Sequence, residues 1–533
     1  MVAAGSARAL PRQSAAQSPS FTLRRCMRPP VRLLALLACL VAMTGLVACG
    51  SDEPGGSLDS SLSYLPEDAP FAVAVDTDVN GDQYQALNGL FKKFPLGDAV
   101  REIVLQTLAK EATGVDLQKE VVPLLGNPFV VGASDVTSFI ESEESDDFVA
   151  ALQVKDDEAL DRLVLRSGAE AAGEVGDARK YESEGTNFAV DGDIVVLAGS
   201  ERLLDAALER AEGDDHLDAQ QFEDALEGLP EDAVARVYAD VGVLIASDPE
   251  TQEAKKVPWV AAMRTLGMTA SAREDEVELQ LNLRTDPEGL SDSDLPIAAG
   301  EDSPPVLERD GEVGFGIRDP GQIARFAESA GQAVDPAGFG DYAQAKKTLD
   351  SRLGIDIDGD LIGQLSGDLS ASIALDGALS IRSELQDPAA FERTLGKVAA
   401  ALPAFAEAAG AGAVQLERPE GDDPFYSLAQ ADGDEIVFGV AGGVFVLASD
   451  RERAEELVDA EPVPVDGAKG ALTLRSDAQE LVNEVIDRYG DGLGLSGVES
   501  LGARLFTDPF EILRGSLEAS TDGLRGRLSI TFE

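Results

Sequence analysis

The sequence predicts an α+β protein built as a tandem duplication, each copy a mainly antiparallel sheet with helices packed on one side of it. Three observations predict this. Apolar and polar residues alternate in runs such as Val277-Glu278-Leu279-Gln280-Leu281-Asn282-Leu283, the period of a strand with one face buried and one wet. Helical stretches punctuate groups of strands without alternating strictly with them, which argues against a doubly wound nucleotide-binding sheet. And the chain matches itself in order, residues 63–286 against 303–533, at a shift that stays between about 230 and 250 residues.

At 533 residues the chain is too long for one ordinary domain. Within the self-match, Leu108 to Leu125, through Thr113-Gly114-Val115-Asp116-Leu117, resembles Leu349 to Leu365, through Leu353-Gly354-Ile355-Asp356-Ile357. Apolar strands follow in both, at Pro128–Ala133 and Leu369–Ala374. Leu152–Asp156 then opens a helix ending near Val164, and Ser383–Pro388 opens its counterpart ending near Leu395. The cleanest pair is Val195-Val196-Leu197-Ala198 against Phe445-Val446-Leu447-Ala448. Each is a buried strand followed by a Ser or Asp cap (Ser200, Asp450) and an amphipathic helix. Both copies end in a hairpin, Met268–Arg273 with Glu276–Leu283 and Ser516–Ser520 with Leu524–Phe532. A smaller echo places strands at Phe71–Val75, Val234–Tyr238, Val313–Ile317 and Ala471–Leu474. Each is followed by an aspartate, Asp76, Asp240, Asp319 or Asp477, ahead of helical sequence. Residues 287–302, in a stretch rich in Asp, Ser, Gly and Pro, form the expected linker.

The N-terminus carries the most specific signal. Arg24, Arg25, Arg28 and Arg32 precede the apolar run Leu33 to Met43, and Leu46-Val47-Ala48-Cys49 follows. A basic region, an apolar region and small residues at a cleavage point make a secretory signal, and the run is shorter than a membrane span. The final four residues resemble the lipobox of bacterial lipoproteins. That resemblance implies a signal peptide over 1–48, with Met27 a plausible true start, and lipidation of Cys49 as the new N-terminus. Residues 49–62, opening Gly50-Ser51-Asp52-Glu53-Pro54-Gly55-Gly56-Ser57, read as a flexible tether. The expected location is the extracytoplasmic face of the cell membrane, held by lipid.

With the lipobox, Leu65-Pro66-Glu67-Asp68-Ala69-Pro70 before the first strand, and a duplicated α+β body, the chain resembles the bacterial family called domain of unknown function 3352, over residues 60–533. The family has no established activity, so the resemblance implies an envelope protein of uncharacterised role and assigns no site residues.

Composition excludes much chemistry. Lys and Arg total 43 against 98 Asp and Glu, a formal charge of −55. The first 48 residues hold six Arg and no acid, so removing them leaves −61. Such a chain repels polyanions, and nucleic acid is no expected partner. The three cysteines, Cys26, Cys39 and Cys49, all lie at or before the cleavage point. The mature chain then has no disulfide, thiolate nucleophile or cysteine metal site.

The single histidine, His216, stands among acids in what reads as a surface turn between helices. One His and no free Cys exclude zinc and Cys/His catalysis. No Gly-x-Ser-x-Gly occurs, and Gly494-Leu495-Ser496-Gly497 lacks the second spacing. Asp76-Thr77-Asp78-Val79-Asn80-Gly81-Asp82 imitates the start of a calcium loop, but Leu87 stands where Glu is required. It reads as a capped turn, as does Asp356-Ile357-Asp358-Gly359-Asp360. Acidic pairs such as Asp214/Asp215 and Glu143/Glu144 are too common to single out, and Trp259 reads as a packing residue. No catalytic, cofactor or metal residue is therefore expected. The expected function is a non-catalytic binding or interaction protein of the cell envelope, with an unknown envelope protein or an apolar ligand as partner. The alternatives are a carrier of lipid or another apolar ligand, and a hydrolase working with carboxylates alone.

Overall fold

The structure is a computed structural model. It describes residues 54–95, 97, 117–133, 147–183, 186–247, 249–365, 367–408, 415–419, 423–429, 435–489, 504 and 506–533. The signal segment, Cys26, Cys39, Cys49, Leu108–Asp116, Glu143/Glu144 and Gly494–Gly497 lie outside the described residues.

Helices and antiparallel strands combine in an α+β architecture. The strands of the first half are β1 (Phe71–Val75), β2 (Phe129–Ala133), β3 (Val149–Gln153), β4 (Glu170–Val175) and β5 (Ala178–Ser183). They continue as β6 (Thr186–Asp191), β7 (Ile194–Ala198), β8 (Ala235–Asp240), β9 (Met263–Ala272) and β10 (Glu276–Thr285). The second half supplies β11 (Glu312–Arg318), β12 (Asp368–Ala374), β13 (Leu379–Glu384), β14 (Gln415–Glu417) and β15 (Phe425–Ala429). Then come β16 (Glu435–Ala441), β17 (Val444–Ala448), β18 (Leu472–Asp477), β19 (Phe510–Ser520) and β20 (Gly523–Phe532).

Every ladder between these strands is antiparallel. The first half runs β4-β5-β6-β7-β3-β2-β1-β8-β9-β10 across the sheet. The second runs β14-β15-β16-β17-β13-β12-β11-β18-β19-β20, the same order strand for strand. The halves meet where β10 pairs with β20, making one continuous sheet. That junction has approximate two-fold symmetry. The hairpins β9–β10 and β19–β20 make Glu276 and Gly523 equivalent, and likewise Arg284 and Thr531. In the ladder Glu276 lies opposite Thr531 and Arg284 opposite Gly523.

Helices cover both faces, a correction to the one-sided packing read from the sequence. On one face of the first half, α1 (Pro54–Leu62), α4 (Glu201–Ala211) and α5 (Ala219–Ala225) bury Leu58, Leu62, Leu204, Leu208 and Phe222 against Ala72, Ala74, Val130, Val196 and Tyr238. On the other face α3 (Asp157–Ser167) buries Leu160 with Phe129, Ala150, Leu152 and Leu197, while α2 (Asp82–Lys93) lies further along, at β9. The second half repeats the scheme. Here α8 (Arg451–Val458) covers Val437, Val446 and Ala448, and α7 (Pro388–Ala408) covers Phe438, Phe445 and Leu447 opposite. Helix α6 (Pro320–Val334) follows β11 as α2 follows β1.

Four of the caps form as read, whereas Asp319, at φ 46°, and the Asp76–Asp82 turn, where Gly81 is the N-cap of α2, supply no side-chain cap. Ser200 Oγ accepts from Leu203 N, Asp450 Oδ1 from Arg453 N, Asp240 Oδ1 from Val243 N and Asp477 Oδ1 from Glu480 N. Two segments differ. Residues 54–62, read as tether, form α1, because Leu58 and Leu62 share one helical face and both are buried. The linker is packed, with Leu295 and Ile297 buried beside Trp259 and Ala519.

Candidate binding face at the junction

Alternation along β10 separates two faces, but the structure buries the unexpected one. Glu278 is 1% exposed and its neighbour across the ladder, Ser529, 2%, while Leu279 and Leu528, directly opposite each other, are 41% and 39% exposed. This reverses the usual apolar-in, polar-out pattern of an antiparallel sheet.

The polar face is held by charge. Glu278 lies between Arg273 Nη2, at 3.2 Å, and Arg527 Nε. Neither of its carboxylate oxygens has an aligned hydrogen bond. Glu276 Oε2 meets Arg273 Nη1 at 3.0 Å and its Oε1 meets Arg514 Nη2 at 3.2 Å. Residues 465–468 border Arg514, Ser516, Arg527 and Ser529 on this face. Asn282 Nδ2 donates to Glu227 O, beyond α5.

Burial raises the Glu276 pKa. Hydrogen bonds from Ser529 and Arg514 and the nearby guanidinium charges outweigh it and hold the carboxyl below the usual carboxylate range. A depressed carboxyl stabilises the fold above its unfolded pKa, and that stability is lost as pH falls through the folded value. Glu276→Gln is therefore expected to flatten the loss of melting temperature on acidification. An acid limb as steep as the parent's, followed by scanning calorimetry, would contradict this role.

The apolar face is a trough. One rung across the sheet reads Ala270, Leu279, Leu528, Gly515, Leu474, Phe315 and Ala371. Beside it run Val237, Met268, Leu281, Gly526 and Leu517. The next rung outward on one side holds Val277 and Ile530, which pack with Leu90, Leu87 and Phe94 at α2. On the other side Leu283 and Leu524 join the cluster of Trp259, Leu295, Ile323 and Phe326 at α6. Two rungs remain between these walls at the junction. Ile373 on β12 adds a third side chain at 43% exposure.

The residues singled out in the sequence lie elsewhere. His216 sits between α4 and α5 as read, but half-buried, its backbone bridged to Pro66. Asp76 Oδ1 accepts from Asp78 N and Asp78 Oδ1 from Asn80 N, the local bonds of a turn. Burial pushes the Asp76 carboxyl up. Asp356 Oδ1 likewise accepts from Asp358 N, and Asp358 pairs with Lys346 at 2.5 Å. Asp214 and Asp215 are exposed, and Trp259 is buried. Of these, Trp259 stands in the α6 cluster that walls the trough, the cluster that also takes in Leu517. Among the described residues no group of three or more His, Cys, Asp or Glu could hold a metal ion. None of the described helices is long and apolar enough to cross a membrane. A polar cleft of about 590 Å³ near Asp218 and Gln221 has its arginines paired, Arg264 with Asp286 at 3.0 Å and Arg284 with Glu227 at 3.2 Å.

Sequence reasoning missed Leu279 and Leu528. Their signal was the alternation itself, which marks two unlike faces without saying which is covered.

No curated protein matches the chain significantly. Solved structures of TP0453 in crystal forms III, I and IV are similar at 12%, 13% and 12% identity, each with a TM-score of 0.25. The matches cover 43%, 44% and 42% of this chain and 82%, 80% and 80% of those chains. The family described as Protein of unknown function (DUF3352) matches residues 32–402, from Arg32 just ahead of the apolar N-terminal run into α7, and the chain belongs to that family.

Proposed function

We propose that the protein is a non-catalytic, lipid-anchored binding protein of the cell envelope whose ligand is apolar and occupies the trough at the junction. The observation that carries this reading is the inverted burial. A sheet that hides Glu278 and Ser529 while leaving Leu279 and Leu528 two-fifths exposed presents apolar surface for something other than its own core. The signal segment, lipobox and anionic mature chain support attachment through Cys49 outside the cytoplasm.

The test uses the full chain and the neutral apolar dye Nile red. Covering the exposed parts of two leucines contributes roughly 1–2 kcal/mol, and a carboxylate in their place must be desolvated by any apolar occupant. The paired substitution Leu279→Glu with Leu528→Glu is expected to weaken dye binding at least about tenfold. Binding that survives both changes at full strength would remove the trough as the site.

A further inference from the structure

We propose that the lipid anchor holds the folded body with its α1 side against the bilayer, so that the trough opens away from the membrane the protein is attached to. The proposal rests on the lipidation of Cys49 in the reading above and adds the attitude of the body on its lipid surface.

The first argument is length. Only residues 50–53 stand between Cys49 and α1, which begins at Pro54. The five residue steps from Cys49 to Pro54 span at most about 18 Å. The leash gains no reach beyond that point, because α1 is fixed to the core. Leu58 and Leu62 are 1% and 0% exposed, and Asp59 Oδ1 accepts from Ala219 N of α5 at 3.2 Å. Just past α1, Tyr64 OH donates to Asp191 Oδ2 at 2.9 Å, and Arg210 Nη1 of α4 donates to Tyr64 O at 2.8 Å. Were α1 free, the chain from Cys49 to Phe71 would reach about 75 Å. Docking α1 shortens the leash about fourfold.

The second argument is place. Helix α1 lies over β2 and β3, with α4 and α5 covering the strands to either side. β3 and β2 are the middle pair of the first half, so each edge of that half is four strand spacings away, about 19 Å at ~4.8 Å each. Neither edge can swing down in place of α1. The trough is on the opposite face, with α2 and α3. A helix is about 10 Å across, so helix, sheet and helix together are more than about 20 Å thick. An anchor leaving α1 cannot pass around that thickness to lay α3 and the trough on the lipid. An apolar occupant therefore reaches the trough from the aqueous side, and does not slide into it from the supporting bilayer.

Cys26 and Cys39 precede Cys49, so in the lipidated chain an introduced cysteine is the single free thiol. Gln220→Cys on α5 and Leu165→Cys on α3 are exposed and lie on opposite faces. Each is labelled with a donor dye in the lipidated full chain. Energy transfer to acceptor lipids in phosphatidylcholine vesicles reads its height. Residue 220 is expected to lie nearer the bilayer than residue 165 by at least about one helix diameter, ~10 Å. Inserting about twenty Gly and Ser residues after Ser51 adds roughly 25 Å of reach. That insertion is expected to erase the height difference while the protein still floats with the vesicles. Equal heights in protein that floats, or residue 165 the nearer, overturn the attitude alone. So does a height difference that survives the insertion. A parent that does not float with the vesicles defeats the anchored reading as well.

Discussion

Arg527→Met is expected to destabilise the protein by about 3 kcal/mol, because it removes one of the two cations that face the buried Glu278 carboxylate. The remaining partner, Arg273, is half exposed and already shared with Glu276. The asymmetry between the partners makes the prediction specific. Arg527 is 40% exposed and can rehydrate when its acid is lost, whereas Glu278 cannot reach water when its arginine is lost. Glu278→Leu alone should therefore cost less than Arg527→Met. The double variant, which replaces the pair by apolar groups, should recover most of the loss. Denaturant midpoints for the four proteins close the cycle. A double variant no more stable than Arg527→Met would show that the polar face is held by something other than these charges.

The second large effect concerns location. Cys49→Ala is expected to move the protein wholly from the membrane fraction to the soluble fraction. Each buried methylene contributes about 0.8 kcal/mol, and stable anchoring needs more than one chain. Among the described residues no spanning helix offers a second attachment, and a chain processed before Cys49 would carry −61, which an anionic lipid surface repels. Removing the sulfur should thus remove the membrane affinity. Sedimentation of membranes from cells expressing each form, followed by blotting, measures it. A variant that pellets as completely as the parent would sink the lipidated-anchor reading.

What the sequence made legible was local. Phe71–Val75 is a strand with those bounds, and the Val195–Ala198 and Phe445–Ala448 strands with their Ser200 and Asp450 caps formed as read. Apolar runs and caps act over a few residues, so one sequence suffices to find them. The two halves of the sheet share one strand order. The misreadings arose where distant segments decide. Pro54–Leu62 was judged on its glycines and serines. Its two leucines gain their burial from strands and helices far along the chain. At Val277–Leu283 the alternation held, but it left open which face is covered. Which face is covered depends on where α5 and residues 465–468 land, and nothing within β10 records that. The trough therefore could not be found from its own residues.

The junction also bears on how the molecule is made. The partner of β10 is β20, which emerges from the ribosome only after the whole second half has been synthesised. Until then a folded first half presents Glu276–Thr285 as an open edge, with Leu279 and Leu281 on one side and a half-neutralised Glu278 on the other. Unpaired apolar edges invite pairing with other chains. A nascent or truncated form lacking Gly523–Phe532 should therefore be the species that chaperones hold and proteases clear.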